Sequence, residues 1–356
     1  MAAPKIAING FGRIGRAITR LAKLHNHFDI VAINDLASPE SLHYAFKYDS
    51  VHGTYEGDVT LSDTTSDTTS DTTSDRTPVT TMSIDGDQFL VLNEKDPKKL
   101  PWAELGVDYV VESTGQFRRL DELRHHLESG AKRVVLTVPS KDHLESTLVM
   151  GVNDHVVTAE SRIISCASCT TNCAAPIAKV LHESFGIRRG FLNTIHAYTS
   201  DQKLLDSPHP KDMRRSRNAA TNIIPTSTGA AQAIGRVIPE LAGRLDGLAM
   251  RVPVPDGSVI DLTVELERPT TVEEVNAAVQ QAAEGYLAGI LEYSTVPVVS
   301  SDIVGSSFSS IFDAPLTQLI DGRLLKVICW YDNEWGYSSR VEDLIVRLAE
   351  IDGMSK

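Results

Sequence analysis

A glycine-rich turn near the N-terminus most constrains how this chain can fold. The motif GFGRIG at 10–15 follows the apolar run KIAIN at 5–9 and opens a segment of helical spacing that extends to Leu24. In a strand–turn–helix unit, the first glycine permits the tight turn, the second lets the backbone approach a pyrophosphate, and the third allows close helix–strand packing. The apolar run at 29–33 is a second strand candidate. Residues 5–33 therefore predict a βαβ unit.

A carboxylate stands where such a unit would bind a nucleotide ribose. Asp35 follows the second predicted strand, 20 residues after Gly15, and Leu36 comes next. The helix N-terminus would present backbone N–H groups to the phosphates, and Asp35 would accept hydrogen bonds from ribose hydroxyls. A 2′-phosphate would meet the charge of Asp35 and no neighbouring cation. The pattern favours NAD over NADP, against the alternative of a structural glycine turn beside a surface aspartate.

Further strands and helices alternate along the N-terminal half. Short β-branched runs occur at 107–111, 133–138 and 147–152, with helical spacing at 119–129. Alternation at this interval predicts a parallel, doubly wound sheet.

The pattern changes after about residue 168. The segment 259–266 alternates apolar and polar residues, which is typical of an antiparallel sheet with one covered face, and 323–331 is another long strand candidate. Thr271 with Glu274 predicts a capping box that opens a helix at 272–287. Ser339 with Glu342 predicts another, which opens a last helix that Gly353 ends. We predict an α/β protein with a cofactor domain at 1–168, completed by residues 333–356, and an α+β catalytic domain at 169–332.

The charge of the chain excludes several classes of protein. Its 34 Lys and Arg against 47 Asp and Glu give a formal net charge of −13. Duplex-binding proteins usually carry a basic excess, and an anionic membrane surface would repel this chain. No apolar stretch is long enough to span a bilayer. We therefore expect neither nucleic acid as the primary partner nor a membrane.

Cysteine usage and the N-terminal sequence bear on the compartment. Only four cysteines occur, which is no secretory disulfide framework. The N-terminus continues almost at once into a strand-like segment, so we expect no signal or transit peptide. A reducing cytoplasm fits these features best.

Residues 63–75 read DTTSDTTSDTTSD, the only low-complexity segment. We interpret this repeat as an exposed surface loop, with a cation site or a phosphorylation target as the alternatives.

Three cysteines lie within the segment IISCASCTTNC at 163–173. A strand is predicted to end at Ser165, and Cys169 lies at the start of a predicted helix, whose positive end would lower the pKa of a thiol. Cys166, Cys169 and Cys173 could instead ligate a metal or an iron–sulfur cluster, pair as a disulfide, or lie inert in the core. A nucleophile at Cys169 is the leading interpretation, and we assign no metal site.

A nucleophilic cysteine needs a base. His196 ends an apolar strand-like run, but it is one of 11 histidines, and the residues alone do not select it.

Several longer motifs point to a known family. They are NGFGRIGR (9–16), KYDSVHG (47–53), ASCTTNCAAP (167–176), HAYTSDQ (196–202), NIIPTSTGAA (222–231), MRVPVPDGSVIDLTVEL (250–266) and WYDNEWGYSSRV (330–341). Together they closely resemble the phosphorylating glyceraldehyde-3-phosphate dehydrogenases, over essentially the whole chain apart from about 62–82. The resemblance implies a Rossmann domain for NAD, a homotetramer, and roles in glycolysis or gluconeogenesis.

The resemblance also implies a mechanism. Cys169 would attack the aldehyde of glyceraldehyde 3-phosphate to form a thiohemiacetal, and His196 would form an ion pair with the thiolate and accept the hydroxyl proton. Hydride transfer to NAD⁺ would leave a thioester on Cys169. Inorganic phosphate would then release 1,3-bisphosphoglycerate.

Two anion sites are implied as well. The substrate phosphate would meet Thr199, Arg215 and Arg251. The attacking phosphate would meet Ser168, Thr170, Thr228 and Gly229, with Arg215 near both. Arg214 and Arg217 flank Arg215, so its selection rests on the resemblance, whereas a lone Arg251 among apolar residues needs a partner on physical grounds.

The resemblance also implies a set of cofactor-binding residues, and Leu36 and Pro208 match the pair seen in NAD-preferring members. The set comprises Gly10, Phe11, Gly12, Arg13, Ile14, Asp35, Leu36, Ser113, Thr114, Gly115, Asn333 and Tyr337.

The chain departs from the family pattern at a few positions. Cys166 replaces the usual Asn, Pro210 looks like an extra residue, and the repeat at 63–75 has no counterpart. Erythrose-4-phosphate dehydrogenase shares the nucleophile motif but differs around the phosphate site. A non-enzymatic binding paralogue is disfavoured by the charge and by the complete Cys, His and Arg set.

Overall fold

A computed structural model describes residues 3–65, 78–144, 146–210 and 212–354. The chain separates into two compact units. The first comprises Met1–Ser146, Val157–Cys166 and Val341–Lys356, and the second comprises Thr147–Val156 and Ala167–Arg340. Most of the repeat at 63–75 lies outside the described residues; its first three residues end a strand.

The first unit contains a nine-stranded sheet with the order β3-β4-β5-β2-β1-β6-β7-β9-β8. β2-β1-β6-β7-β9 pair in parallel, β5 pairs in parallel with β2, and β3-β4-β5 form an antiparallel ribbon. The strands are β1 (Lys5–Asn9), β2 (Asp29–Asn34), β3 (Val59–Thr65), β4 (Pro78–Ile84), β5 (Asp87–Leu92), β6 (Tyr109–Glu112), β7 (Arg133–Leu136), β8 (Ser146–Thr147) and β9 (Ile163–Ser165). The predicted doubly wound parallel sheet is confirmed.

Helices of this unit follow from their apolar stripes. Ala17, Ile18 and Leu21 lie on one face of α1 and are buried, as their spacing predicts. The helices are α1 (Arg13–His25), α2 (Pro39–Lys47), α3 (Trp102–Leu105) and α4 (Leu120–Glu128).

The second unit is built on a largely antiparallel sheet with the order β11-β12-β10-β13-β17-β15-β14, and β16 pairs with β17. Its strands are β10 (Ile187–Ala197), β11 (Ile224–Ser227), β12 (Leu245–Val252), β13 (Ser258–Leu266), β14 (Leu291–Ser294), β15 (Ser310–Asp313), β16 (Gln318–Ile320) and β17 (Leu324–Tyr331). β13 alternates buried and half-buried residues along its whole length, which confirms the predicted covered face.

Three helices pack on this sheet: α5 (Cys169–Phe185), α6 (Ala230–Val237) and α7 (Val272–Glu284). The capping box of Thr271 and Glu274 forms at the start of α7 as predicted. Among the described residues, no helix is long and apolar enough to cross a membrane.

Two local predictions were wrong. Residues 147–152 do not form a strand beyond Thr147, because the side chain of Asn153 accepts a hydrogen bond from Val149 N and donates one to Thr147 O. This turn buries Val149 and Val152 in the core of the second unit, which explains why 147–156 leaves the predicted cofactor domain.

The last helix begins earlier than predicted. α8 spans Trp335–Ile351, so Ser339 lies inside the helix and its hydroxyl donates to Trp335 O. Asp332 supplies the N-terminal acceptor instead, since its carboxylate accepts from the backbone N–H groups of Glu334 and Trp335. A capping motif in sequence does not identify a helix start when a carboxylate seven residues earlier caps the same helix.

Candidate active site

The first unit contains a cleft of about 600 Å³ at the carboxyl ends of its central strands. Six predicted cofactor residues line it, with seven that the sequence did not single out. The former are Gly10, Gly12, Asp35, Leu36, Ser113 and Thr114; the latter are Asn9, Asn34, Glu94, Lys95, Pro97, Gln116 and Phe117.

The geometry of the turn fits a bound pyrophosphate. A Cβ on Gly10 would lie 2.6 Å from Thr114 N, and a Cβ on Gly15 would lie 2.3 Å from Gly10 O. At Gly12 a Cβ would meet nothing within 4 Å, so this backbone is open to a ligand. Because Gly12 precedes α1 without a capping side chain, a phosphate can take the place of a cap at this helix end.

Asp35 is held in place by the backbone. Its Oδ2 accepts from Phe11 N at 2.8 Å and its Oδ1 accepts from Ala37 N at 3.0 Å. Each carboxylate oxygen keeps a further lone pair for a ribose hydroxyl. Lys95 also lines the cleft, whereas the sequence around Asp35 and Leu36 had indicated no cation for a 2′-phosphate.

The remaining predicted cofactor residues of this unit have other contacts. Phe11 is buried and stacks on Phe46, so only its backbone is available to a ligand. Arg13 pairs with Asp49. Ile14 lies in the first turn of α1, and Gly115 has a positive φ of 69°.

A buried polar network lies beneath the cleft. Glu112, at the end of β6, accepts from Asn9 Nδ2 and from the backbone N–H and hydroxyl of Thr114. His126 Nε2 lies 3.1 Å from Glu112 Oε2, and Trp102 Nε1 donates to His126 Nδ1 at 3.1 Å. Since Nδ1 accepts, Nε2 carries the proton and donates to Glu112. The signal for this network was the lone acidic residue that ends the apolar run YVVE.

Cys169 is the first residue of α5 in the second unit. Ser168 caps this helix, since its Oγ accepts from Thr171 N at 3.1 Å. Cys169 Sγ lies 3.4 Å from His196 Nε2. All four cysteines are free thiols, and of these only Cys169 is partly exposed. The disulfide alternative is therefore excluded.

Sheet register explains why His196, among 11 histidines, meets this thiol. β10 and β12 pair in parallel, and His196 lies directly opposite Arg251 near the ends of the two strands. His196 Nδ1 lies 2.7 Å from Ala197 O. Because a carbonyl only accepts, Nδ1 carries the proton, and the lone pair of Nε2 faces Cys169.

The ionisation of the pair is governed by burial and by one arginine. Burial and the nearby charge of Arg251 lower the pKa of His196 to about 3, so its imidazole is neutral near pH 7. Burial raises the pKa of the Cys169 thiol, while Arg251 and hydrogen bonds from Thr170 act to lower it. In this geometry the pair is a thiol beside a neutral base, which differs from the ion pair that the resemblance implies.

The predicted substrate-phosphate residues form one cluster with this pair. Arg251 Nη1 donates to Thr199 Oγ1 at 2.8 Å and to Ala197 O at 3.0 Å. Asp201 accepts from both Thr199 and Arg215. Arg251 Nε is buried and has no hydrogen-bond partner among the described residues, so a donor remains for an anion.

Arg215 is distinguished from Arg214 and Arg217 by its contacts. Its Nε donates to Thr226 Oγ1 at 2.9 Å and its side chain is 20% exposed, whereas that of Arg217 is 63% exposed and pairs with Asp206. Asp201, Asp212 and Thr226, which orient Arg215, were not predicted; Asp201 stands inside the motif HAYTSDQ.

The residues predicted for the attacking phosphate are less clearly assembled. Ser168 and Thr228 accept from backbone N–H groups at the starts of α5 and α6, and Gly229 precedes α6. The hydroxyl of Thr170 is buried and bonds to Tyr331 Oη at 3.0 Å. Tyr331, which also bonds Thr194 Oγ1 and lies edge-on to His196, was missed because it ends an apolar strand pattern.

Asn333 and Tyr337 also belong to the second unit. Ser258 Oγ donates to Asn333 Oδ1 at 2.6 Å and accepts from Ala197 N at 3.1 Å. This chain of bonds fixes the orientation of the Asn333 amide relative to the end of β10. Tyr337 is buried, and its hydroxyl lies 3.4 Å from Ala167 O.

A glycine-rich dinucleotide turn in one unit and a cysteine–histidine pair beside half-buried arginines in the other are typical of dehydrogenases that oxidise aldehydes through a cysteine. Comparison with known families names the group. Residues 4–120 match the family model for the NAD binding domain of glyceraldehyde 3-phosphate dehydrogenase, and residues 168–333 match that for its C-terminal domain. The chain belongs to the glyceraldehyde-3-phosphate dehydrogenase family.

Similar proteins come from distant organisms. The chain is 51% identical to a glyceraldehyde-3-phosphate dehydrogenase of Geobacillus stearothermophilus over 98% of both proteins. It is 49% identical to one of Borreliella burgdorferi, over 97% of this chain and the whole of that protein. A chloroplastic glyceraldehyde-3-phosphate dehydrogenase of Arabidopsis thaliana is 47% identical over 97% of this chain and 78% of its own length.

Proposed function

We propose that this chain converts glyceraldehyde 3-phosphate, NAD⁺ and inorganic phosphate into 1,3-bisphosphoglycerate and NADH. The observation that carries this proposal is the 3.4 Å contact between Cys169 Sγ and the unprotonated Nε2 of His196, beside Arg251. A thiol that can pass its proton to a neutral base while it attacks a carbonyl is suited to aldehyde addition.

The first step forms the bond between Cys169 Sγ and the aldehyde carbon. His196 Nε2 takes the thiol proton and delivers it to the carbonyl oxygen, which gives a thiohemiacetal. His196 then removes the hydroxyl proton as the carbon loses its hydride, and bound NAD⁺ supplies the hydride acceptor. The product on the chain is a thioester at Cys169, with the proton held on His196 Nε2.

The second step transfers the acyl group. A phosphate oxygen attacks the thioester carbon, the bond to Cys169 Sγ breaks, and His196 returns its proton to the sulfur. The free energy of the oxidation is thereby retained in the bond of an acyl phosphate, whereas formation of a free carboxylate would release it.

Two anions have to be held for this sequence. We assign the substrate phosphate to Thr199, Arg215 and Arg251, and the attacking phosphate to Ser168, Thr170, Thr228 and Gly229, with Arg215 near both. Arginine forks and hydroxyls suit phosphate oxygens, and the unpartnered Nε of Arg251 provides a donor that no described residue uses. Asp201 accepts from Thr199 and Arg215, and a phosphate dianion would compete for the same donors.

The cofactor assignment rests on the first unit and on Asn333. Gly10, Gly12, Asp35, Ser113 and Thr114 line the cleft, and the oriented amide of Asn333 is suited to bind a nicotinamide carboxamide. We assign Phe11, Arg13, Ile14, Leu36, Gly115 and Tyr337 to supporting contacts with the cofactor.

An NADH-formation assay tests the proposal. Purified protein should reduce NAD⁺ with glyceraldehyde 3-phosphate only when phosphate or arsenate is present, and Cys169→Ser should abolish the reaction. Cys329→Ser, at a buried thiol in β17, is the matched control and should remain active. Activity without phosphate, or a preference for erythrose 4-phosphate, would contradict the proposal.

We further propose a cytoplasmic homotetramer whose partners are its small-molecule substrates. Light scattering should give four times the chain mass of 38.8 kDa. A dimer or a monomer at micromolar concentration would contradict the assembly without affecting the assigned reaction.

A further inference from the structure

Two histidines and one glutamate of the first unit come together outside the catalytic cluster. His25 is the last residue of α1, His27 follows two residues later in the turn before β2, and Glu342 lies on α8. The two imidazole rings are stacked with centroids 5.5 Å apart. Because more than 300 residues separate the histidines from the glutamate, nothing in the sequence pattern connects them.

Both carboxylate oxygens of Glu342 face an imidazole nitrogen. His25 Nδ1 lies 2.9 Å from Glu342 Oε2, and His27 Nδ1 lies 3.2 Å from Glu342 Oε1. One ligating atom from each of the three residues lies within 4.8 Å of the others. Ligands 2.0–2.1 Å from a tetrahedral metal are about 3.3 Å apart, so small side-chain rotations would bring these atoms around one ion.

The surroundings of Glu342 favour a cation. Its side chain is 3% exposed, and Oε1, although it lies 3.2 Å from His27 Nδ1, makes no hydrogen bond among the described residues. A buried carboxylate without full hydrogen bonding is costly unless a positive charge lies beside it. The two imidazoles are about half exposed, so an ion placed between them and Glu342 could keep water as a further ligand.

We propose that His25, His27 and Glu342 form a binding site for a divalent transition metal such as Zn²⁺ or Co²⁺. Imidazole and carboxylate ligands suit these ions, and three protein ligands with one water give a four-coordinate site. The bound ion joins the turn between α1 and β2 to the C-terminal helix, so its effect is on the stability of the cofactor-binding unit. The site contains no residue of the proposed reaction.

Cobalt titration of the full-length protein tests this site. Cys169 is first blocked with iodoacetamide, because a thiolate also binds such metals. One equivalent of Co²⁺ should then give the visible absorption of four-coordinate cobalt, and Zn²⁺ should displace it and raise the Tm by several degrees. Binding should weaken as the pH falls, because protons compete for the imidazole nitrogens.

Variants at the exposed ligands keep the test independent of folding. His25→Ala with His27→Ala should lower the Co²⁺ affinity at least tenfold and remove the Zn²⁺ effect on Tm, whereas His155→Ala, at an exposed histidine elsewhere, should change neither. Glu342→Gln should also weaken binding, with its Tm without metal as the control for misfolding. Equal affinity in the double variant, or no binding in the alkylated parent, would overturn the proposal.

Discussion

Two buried histidines, one in each unit, show how similar environments lead to different roles. His126 uses both ring nitrogens on other side chains, Trp102 and Glu112. His196 uses Nδ1 on the carbonyl of Ala197 and directs Nε2 at the thiol of Cys169. His126 is fully enclosed, whereas the neighbours of His196 include a partly exposed thiol and an arginine with an unpartnered Nε.

The two histidines differ in whether the polar groups around them all have hydrogen-bond partners in the folded chain. Around His126 the polar atoms satisfy one another, which stabilises the loop of Ser113 and Thr114 at the cleft. Around His196 the lone pair of Nε2 faces Cys169 Sγ, and the buried Nε of Arg251 has no hydrogen-bond partner among the described residues. Burial by itself therefore does not distinguish the two histidines. The polar group without a partner beside His196 does distinguish them.

The largest expected effect is on catalysis at His196. His196→Asn should lower kcat by about 10²–10⁴-fold, because the proton relay is lost while Asn keeps a similar shape. The Tm should change little. Steady-state NADH formation measures the loss, with His155→Asn as the control. A kcat within threefold of the parent would show that another group serves as the base.

The opposite pattern is expected at His126. His126→Leu removes one hydrogen bond to the buried carboxylate of Glu112 and leaves the indole N–H of Trp102 without its acceptor, at a cost of about 3 kcal/mol. Calorimetry should show a Tm lower by roughly 6–12 °C. The folded variant should keep its kcat and show a raised KM for NAD⁺. A lost kcat with an unchanged Tm would remove the distinction between the two histidines.

Arg251 offers a test of the charges beside His196. Its guanidinium favours the thiolate of Cys169, so Arg251→Gln should raise the pKa of that thiol and move the pH midpoint of its alkylation upward. The Arg251→Gln variant and the reference protein that keeps Arg251 should both carry His196→Asn, so that of the Cys169–His196 pair only the thiol titrates. Arg236→Gln, at an exposed position on α6, should leave the midpoint in place. A downward shift would contradict the assigned sign.

The cofactor cleft of the first unit has its own charge test. Asp35→Ala removes the carboxylate that would repel a 2′-phosphate while Lys95 remains in the cleft, so the kcat/KM ratio of NADP⁺ to NAD⁺ should rise about tenfold. Asp121→Ala on the surface of α4 is the control. An unchanged ratio would show that Asp35 does not set the cofactor preference.

The smallest effect is expected from the repeat, whose described residues 63–65 belong to β3. Thr65 pairs with Pro78 in the β3–β4 ribbon, so residues 66–77 can be replaced by an Asn-Gly turn. The kcat should stay within about twofold of the parent, as it should with a Gly/Ser segment of the original length. A large loss of kcat in both variants would assign the repeat a role in catalysis.

The cysteine segment shows how far local pattern carries. Its sequence predicts that Cys169 begins a helix, and the structure has α5 begin there. The same pattern could not separate Cys169 from Cys166 and Cys173, because burial depends on residues distant in sequence. Burial raises the pKa of the Cys166 thiol to about 12 and leaves Cys173 fully enclosed, whereas Cys169 is partly exposed.

What the sequence by itself determined was local in range. The glycine turn with its flanking strand and helix, the position of Asp35, and the alternation of β13 follow from spacing within a few residues, because backbone geometry repeats over that distance. Only tertiary structure decided which histidine meets the thiol and which arginine is oriented beside it. Those choices depend on the β10–β12 register, which joins residues 55 positions apart, and on Asp201 and Thr226, which hold Arg215. The start of α8 was decided in the same way, because the carboxylate of Asp332, seven residues before Ser339, caps the helix that a local motif had predicted to begin at Ser339.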